Sequence, residues 1–211
     1  MKITKQKEIF GNYSQQMIRK AIIISISTFF LTKKEINIFR EEKPWGVILF
    51  KRNILSEKQL KLLTSKIRRV MKDKKYPILI DEEGGRVTRL SNFLDNSIFN
   101  QQYFGDLCKV NKKIGLAVYK NYIDAISMYL KKLGININTS PVLDLWYKKA
   151  DKIIGNRSYS ENPTIVNLLG RFCIKSYMKN KIASVIKHIP GHGKANTDSH
   201  FDLPIVKNDL K

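Results

Sequence analysis

The chain has 211 residues, of which 43% are hydrophobic and 27% are charged. This composition supports one sizeable buried core and excludes an intrinsically disordered protein. The net charge of +21 raises the question of nucleic-acid binding, because clustered cations neutralise phosphates. The cations are instead spread along the sequence, and no nucleic-acid-binding module accompanies them. We therefore expect a solvated, lysine-rich surface and no nucleic-acid partner; lysines on the predicted outer helix faces include Lys58, Lys61, Lys66, Lys131 and Lys132.

Two features bear on the cellular compartment. Cys108 and Cys173 are too few and too far apart for a disulfide framework or a zinc ribbon, so we expect both in the core. The apolar run at residues 21–31 is shorter than the about 20 residues that a membrane span needs, and no small-residue cleavage site follows it. Its β-branched residues favour a buried strand. The sequence therefore predicts a cytoplasmic protein with no membrane partner.

Short apolar runs alternate with longer helical patterns along the chain. The apolar runs predict five strands, at residues 22–27, 47–50, 77–81, 135–138 and 183–187. The helical patterns lie between them, at residues 33–41, 56–71, 112–133 and 163–179. Ser56 is the expected N-cap of the second helix, and Gly134 is expected to end the third. The alternation is typical of repeated βα units around a parallel sheet.

Each of the last three predicted strands is followed by a polar or glycine-rich cluster, at residues 81–86, 138–144 and 187–188. Loops at the carboxyl ends of the strands build the active site of a parallel barrel. A doubly wound sheet would use the same ends, but no Gly-x-Gly-x-x-Gly pattern opens a helix here. We favour an α/β fold of the TIM-type (β/α)8 barrel class, incomplete in this chain, with about five to six βα units. Residues 1–21 are interpreted as an N-terminal extension and residues 22–211 as the N-terminal portion of the barrel domain.

All three histidines of the chain lie within residues 187–200, at His188, His192 and His200. The four-residue spacing of the first two suits a metal when both lie on one helix face, but Pro190 and two neighbouring glycines oppose a helix there. Lys194 does not complete a phosphate loop, because the position six residues before it is not glycine.

Acid/base chemistry is a third interpretation of this segment. Asp198 lies two residues before His200, close enough for the carboxylate to orient the imidazole. A free histidine titrates near pH 6.5, so it can donate and accept protons at neutral pH. The alternative is a polar loop whose histidines have no chemical role.

Five motifs follow one another at the predicted strand ends. They are GVILFKRN at residues 46–53, IDEEGGRVTR at 80–89, SPVLD at 140–144, IGNRSY at 154–159 and KHIPGHG at 187–193. In type and order they resemble the bacterial β-N-acetylhexosaminidases of glycoside hydrolase family 3. The Asp198-x-His200 pair resembles the N-acetylglucosaminidase branch of that family. The resemblance spans nearly the whole chain, from residue 22 to residue 204.

The resemblance implies a set of functional residues. Five of them would surround the terminal sugar, namely Asp81, Arg89, Arg157, Lys187 and His188. His200 would be the general acid/base, and Asp198 its partner. The physical chemistry agrees, since charged groups form strong hydrogen bonds with sugar hydroxyls. The alternatives are a local ion pair for Asp81 and Arg89, and surface or supporting cations for Arg157 and Lys187. No cofactor or metal is implied.

Two positions depart from the family pattern. Glu82 stands where the family commonly has glutamine, and we assign it no catalytic role. The family's nucleophile is an aspartate in a Ser-Asp-Asp-like strand end well after the histidine loop, and this sequence has no such motif. Asp202 and Asp209 are too close to the loop to replace it. We therefore expect a fragment of a longer protein that is inactive alone.

The resemblance implies an activity for the longer parent protein. That activity is a retaining exo-β-N-acetylglucosaminidase, which acts as a monomer on peptidoglycan-derived muropeptides during cell-wall recycling. The substrate would be a small carbohydrate. Two alternatives stay open, a phosphorylase that cleaves the same bond with phosphate, and a non-catalytic sugar-binding remnant.

Overall fold

The computed structural model describes residues 18–147 and 152–194, together with Leu203 and Ile205. Its five strands are β1 (Lys20–Ser25), β2 (Pro44–Leu49), β3 (Ile78–Ile80), β4 (Ile137–Asn138) and β5 (Ala183–Ser184). Its five α-helices are α1 (Lys33–Glu42), α2 (Glu57–Met71), α3 (Gln101–Val110), α4 (Lys112–Lys132) and α5 (Pro163–Lys179). Two short 3-10 helices lie at Lys51–Asn53 and Gly155–Arg157.

The strands form one parallel sheet in the order β1-β2-β3-β4-β5. Each new strand is added beside the preceding one, and the order does not reverse. A doubly wound sheet reverses its strand order, whereas a TIM-type barrel adds its strands in sequence. The described strands are therefore part of a TIM-type barrel, and the predicted fold class is confirmed.

The helices follow the sequence pattern closely. Ser56 caps α2 as predicted, since its side chain accepts a hydrogen bond from the backbone of Gln59. Gly134, which follows α4, has the positive φ of 78° that glycine adopts readily. The apolar stripe of α2 belongs to the same hydrophobic core as Val47 and Leu49 of β2, and Leu60 and Ile67 are fully inaccessible. Helix packing therefore covers the outer face of the strands, as in a barrel.

Helix α3 was not predicted. It has only ten residues and contains Gly105, which lowers intrinsic helix propensity. Asn111 ends α3 and also caps α4, so the two helices follow each other without a loop. Gly105 is required by packing, because a Cβ atom there would lie 1.8 Å from the carbonyl oxygen of Tyr159.

Strand boundaries differ from the prediction by up to three residues. β1 begins two residues early, at Lys20, and β2 begins at Pro44. β5 ends at Ser184, although Val142 and Lys187 form a further isolated parallel bridge. The chain after β5 thus stays close to the segment after β4, which brings Lys187 to the carboxyl end of the sheet.

The predicted burial of the first strand is wrong, since β1 lies at one end of the strand order and its Ile22 and Ile23 are each 46% exposed; the other expectations for core and surface are met. Cys108 and Cys173 are both free and buried. Most lysines on the predicted outer faces are exposed; Lys61 is half-buried and forms an ion pair with Glu57. Among the described residues, no helix combines the length and the apolar character needed to cross a membrane.

Candidate active site

Asp81 is the first polar residue after β3, and its carboxylate lies among three donors. It accepts hydrogen bonds from Arg89 Nη2 at 2.9 Å, from Lys187 Nζ at 3.1 Å and from the hydroxyl of Thr139. Thr139 directly follows β4, and Lys187 comes shortly after β5. Three neighbouring strands therefore direct polar side chains to one point, as expected where parallel strands end at the same edge.

The surroundings of Asp81 lower its pKa. Burial alone would raise the pKa, but the charge of Lys187 and hydrogen bonds from Thr139 and Arg89 bring it down to about 2. A depressed folded-state pKa contributes stability that is present above the unfolded value and is lost as pH falls through the folded value.

We accordingly expect the carboxyl ¹³C chemical shift of Asp81 to titrate with a midpoint near pH 2. The stabilisation from this carboxylate should decline only below the ordinary aspartate pKa of about 3.9. A midpoint at or above that ordinary value would show that the three donors do not hold the carboxylate in solution.

A second carboxylate, Glu83, lies beside the first. Arg157 donates to both of its oxygens, from Nε and Nη2, at 2.9 Å each. Lys187 Nζ lies 2.5 Å from Glu83 Oε1, so this ammonium bridges Glu83 and Asp81. Burial would lower the pKa of Arg157, but its hydrogen bonds with Glu83 and the charge of Glu83 raise it above the ordinary value.

His188 is oriented by a buried aspartate. Its Nδ1 lies 2.6 Å from Asp144 Oδ2, and its backbone N–H donates to the same oxygen at 3.1 Å. Nε2 lies 3.3 Å from Arg157 Nη2. With the proton on Nδ1, Nε2 is left to accept from the guanidinium. Burial would raise the pKa of Asp144, but hydrogen bonds from His188 and from the backbone of His192 hold it below its ordinary value.

All five predicted sugar-contact residues line one cavity of about 380 Å³. This volume lies within the range of small-molecule sites. Apolar side chains form part of its wall, namely those of Phe50, Val87, Ile153 and Ile154. A lining of both charged and apolar side chains suits a sugar, which has polar hydroxyls and apolar ring faces.

The structure also bears on the alternatives given for four of these residues. Asp81 and Arg89 do form an ion pair, with 15% and 25% of their side chains exposed, yet both line the cavity. Arg157 and Lys187 are mostly buried rather than surface cations, with exposed fractions of 11% and 15%. Their contact with a sugar stays a prediction.

The predicted acid/base pair, His200 and Asp198, lies outside the described residues. Within the described part of the chain, no group of three or more His, Cys, Asp or Glu residues could hold a metal ion. His192 lines the cavity, and neither of its ring nitrogens has a hydrogen-bond partner among the described residues.

Sequence reasoning assigned no role to three residues that organise the site, Glu83, Thr139 and Asp144. Glu83 was recognised only as part of the family pattern. It lies two residues after Asp81, and alternation along an extended chain puts such residues on the same side. The contact between Asp144 and His188 joins residues 44 positions apart, and no local pattern indicates it.

Comparison with known proteins gives the family. Residues 24–211 match the glycosyl hydrolase family 3 N-terminal domain. The chain therefore belongs to glycosyl hydrolase family 3, as its motifs predicted.

Its relatives and structural neighbours agree. A β-hexosaminidase of Bordetella pertussis is 33% identical over 194 residues, which cover 90% of this chain and 53% of that protein. β-Hexosaminidase A of Pseudoalteromonas piscicida is 34% identical over 168 residues, which cover 78% of this chain and 28% of that protein. The crystal structure of NagZ from Neisseria gonorrhoeae with N-trifluoroacetyl-D-glucosamine has a TM-score of 0.82 and 30% identity. That match covers 91% of this chain and 56% of NagZ. The chain thus spans about half, or less, of these relatives.

Proposed function

We propose that the cavity binds a terminal N-acetylglucosamine unit and that the longer parent protein is a retaining exo-β-N-acetylglucosaminidase. The observation that carries the proposal is the convergence of Arg89, Lys187 and Thr139 on Asp81 at the carboxyl ends of three strands. Membership of the family supports the reaction class. The N-acylglucosamine bound to gonococcal NagZ supports the class of sugar.

The charged groups suit the recognition of hydroxyls. Asp81 and Glu83 accept hydrogen bonds, while Arg89, Arg157 and Lys187 donate them. Because these groups already hold one another in place, ordering them on sugar binding costs little conformational entropy. Hydrogen bonds between sugar hydroxyls and ionised side chains are stronger than those between neutral groups.

His200 is the proposed general acid/base, and Asp198 is proposed to orient and tune its imidazole. A retaining mechanism also needs a nucleophile on the opposite face of the anomeric carbon. No Ser-Asp-Asp-like motif follows His200 in this sequence, so we propose that the 211-residue chain does not turn over substrate alone. For the parent we propose a monomer in the cytoplasm that releases N-acetylglucosamine from muropeptides during cell-wall recycling.

Phosphorolysis is the second candidate reaction. A histidine acid/base repels an incoming phosphate less than a carboxylate would. Product analysis of the longer protein with and without inorganic phosphate separates the two reactions. Hydrolysis gives free N-acetylglucosamine in both cases, whereas phosphorolysis gives the sugar 1-phosphate and depends on phosphate. If the longer protein binds the sugar but gives neither product, the remaining alternative of a non-catalytic sugar-binding protein is supported.

A further inference from the structure

Glu82 lies between the two cavity carboxylates but is itself completely buried, with 0% of the residue exposed. Its side chain accepts four hydrogen bonds. Oε1 accepts from the hydroxyl of Thr88 and from the side-chain amide of Asn96, both at 2.6 Å. Oε2 accepts from the backbone N–H groups of Arg89 at 2.8 Å and Leu90 at 3.2 Å. Every one of these donors belongs to residues 88–96.

The backbone of Glu82 is fixed on the opposite side. Its N–H donates to Asn138 Oδ1 at 3.0 Å, and its carbonyl accepts from Asn138 Nδ2 at 2.8 Å. Asn138 is the last residue of β4. Glu82 therefore connects residues 88–96, which form no helix or strand, to the carboxyl end of β4, which pairs with a strand on each side.

We propose that Glu82 is a positioning residue for the sugar site. Its carboxylate holds residues 88–96 so that the guanidinium of Arg89 already lies against Asp81 when the ligand arrives. Glu82 itself does not line the cavity and does not touch the ligand. The identity of the ligand rests on the proposed function, whereas the ordering of residues 88–96 does not.

The chemistry of the contact explains why a carboxylate can be buried here. A buried carboxylate is costly unless hydrogen bonds replace its hydration, and Glu82 has four. Burial still raises the pKa of Glu82 above its ordinary value, although Thr88, Arg89, Asn96 and Leu90 oppose the shift. Two further titratable groups lie near Glu82: the hydroxyl of Tyr122 is 3.4 Å from Asn96 Nδ2, and the hydroxyl of Tyr177 is 3.0 Å from Asn138 Nδ2.

Glutamine can keep the same contacts. Its carbonyl oxygen can accept from the two backbone N–H groups, and its amide can donate to the Thr88 hydroxyl. In the described structure Asn96 Oδ1 is buried without a hydrogen-bond partner. If the Asn96 amide rotates, this oxygen can accept the second amide hydrogen of a glutamine at position 82. Alanine retains none of these contacts.

The first measurement needs no ligand. Amide hydrogen exchange is followed by NMR in the 211-residue chain and in Glu82→Ala, Glu82→Gln and Thr88→Val. Thr64→Val is the matched control, because it removes a buried side-chain hydrogen bond to Leu133. In Glu82→Ala we expect protection at Arg89 and Leu90 to fall about tenfold or more, while β3 is unchanged. In Glu82→Gln the protection at these two amides should stay within about twofold of the unmodified chain, and in Thr88→Val it should fall about threefold.

The second measurement is titration of the same variants with N-acetylglucosamine. Glu82→Ala should raise the Kd about tenfold, whereas Glu82→Gln and Thr64→Val should leave it nearly unchanged. Unaltered protection at Arg89 and Leu90 in Glu82→Ala overturns the proposal. The proposal is also overturned if Glu82→Gln loses as much protection and affinity as Glu82→Ala, or if Thr64→Val loses as much affinity as Glu82→Ala. If Glu82→Ala does not fold, Thr88→Val is compared with Thr64→Val instead. Lower protection at Arg89 and Leu90 in Thr88→Val alone supports the proposal, and equal protection in both variants overturns it. If the unmodified chain does not bind the sugar, the proposed function fails while the exchange result still decides the role of Glu82.

Discussion

Asp81→Ala is expected to weaken the binding of N-acetylglucosamine to this chain by one to two orders of magnitude. The substitution removes the acceptor shared by Arg89, Lys187 and Thr139. It leaves two partly buried cations without one of their anions, and a lost hydrogen bond to a charged group costs about 1.5–3 kcal/mol. The dissociation constant is measured by NMR titration at neutral pH, where the carboxylate is ionised.

Asp73→Ala is the matched control for this change. It also removes an aspartate paired with an arginine, since Asp73 Oδ2 lies 2.5 Å from Arg19 Nη2. Asp73 lies just after the carboxyl end of α2 and does not line the cavity. A binding loss of the same size in both variants would show that Asp81 acts only through stability. Unchanged affinity in Asp81→Ala would remove this residue from the sugar site.

The second large effect concerns turnover. We expect no detectable cleavage of an aryl N-acetyl-β-glucosaminide by the purified 211-residue chain, because protonating the leaving group without a nucleophile completes neither half-reaction. In the longer parent, His200→Ala should slow substrates with poor leaving groups by about 10²- to 10⁴-fold. Activated aryl substrates should be affected less, because their departure needs little proton donation.

Asp198→Asn should give a milder form of the same defect, because the imidazole remains but its orientation and basicity change. Rates on leaving groups of graded pKa separate this effect from a general loss of folding, which would lower all rates equally. Robust cleavage by the purified 211-residue chain that His200→Ala does not reduce would contradict the proposed mechanism.

Much of the fold follows from periodicity and from the position of polar clusters. The apolar stripe of α2 and the capping by Ser56 are local signals, and together they were sufficient to predict this helix and its start. The meeting of Asp81 and Lys187 could also be anticipated, because each follows a parallel strand at its carboxyl end. Helix α3 could not be anticipated, since a ten-residue segment with an internal glycine has a weak helical pattern. The close approach of Gly105 to Tyr159 is a contact between residues far apart in sequence.

The sequence indicated five residues that line one cavity, but not how they are held in place. The motifs indicated Arg157 and His188, but which partners hold them depends on contacts between residues far apart in sequence. The partners of Glu82 could not be predicted either. Alternation along an extended chain places it opposite Asp81 and Glu83, yet no sequence pattern reveals that four donors from residues 88–96 meet its carboxylate.

The most direct test of the central claim is an NMR titration of the isotope-labelled 211-residue chain with N-acetylglucosamine. We expect saturable shift changes centred on the residues after β3, β4 and β5, including Asp81, Thr139 and Lys187, and their loss in Asp81→Ala. Glucose, which lacks the acetamido group, is expected to bind more weakly. Saturable changes confined to the opposite end of the sheet, around Phe39 and Lys72, or no saturable change at all, would contradict the assignment of this cavity as the sugar site.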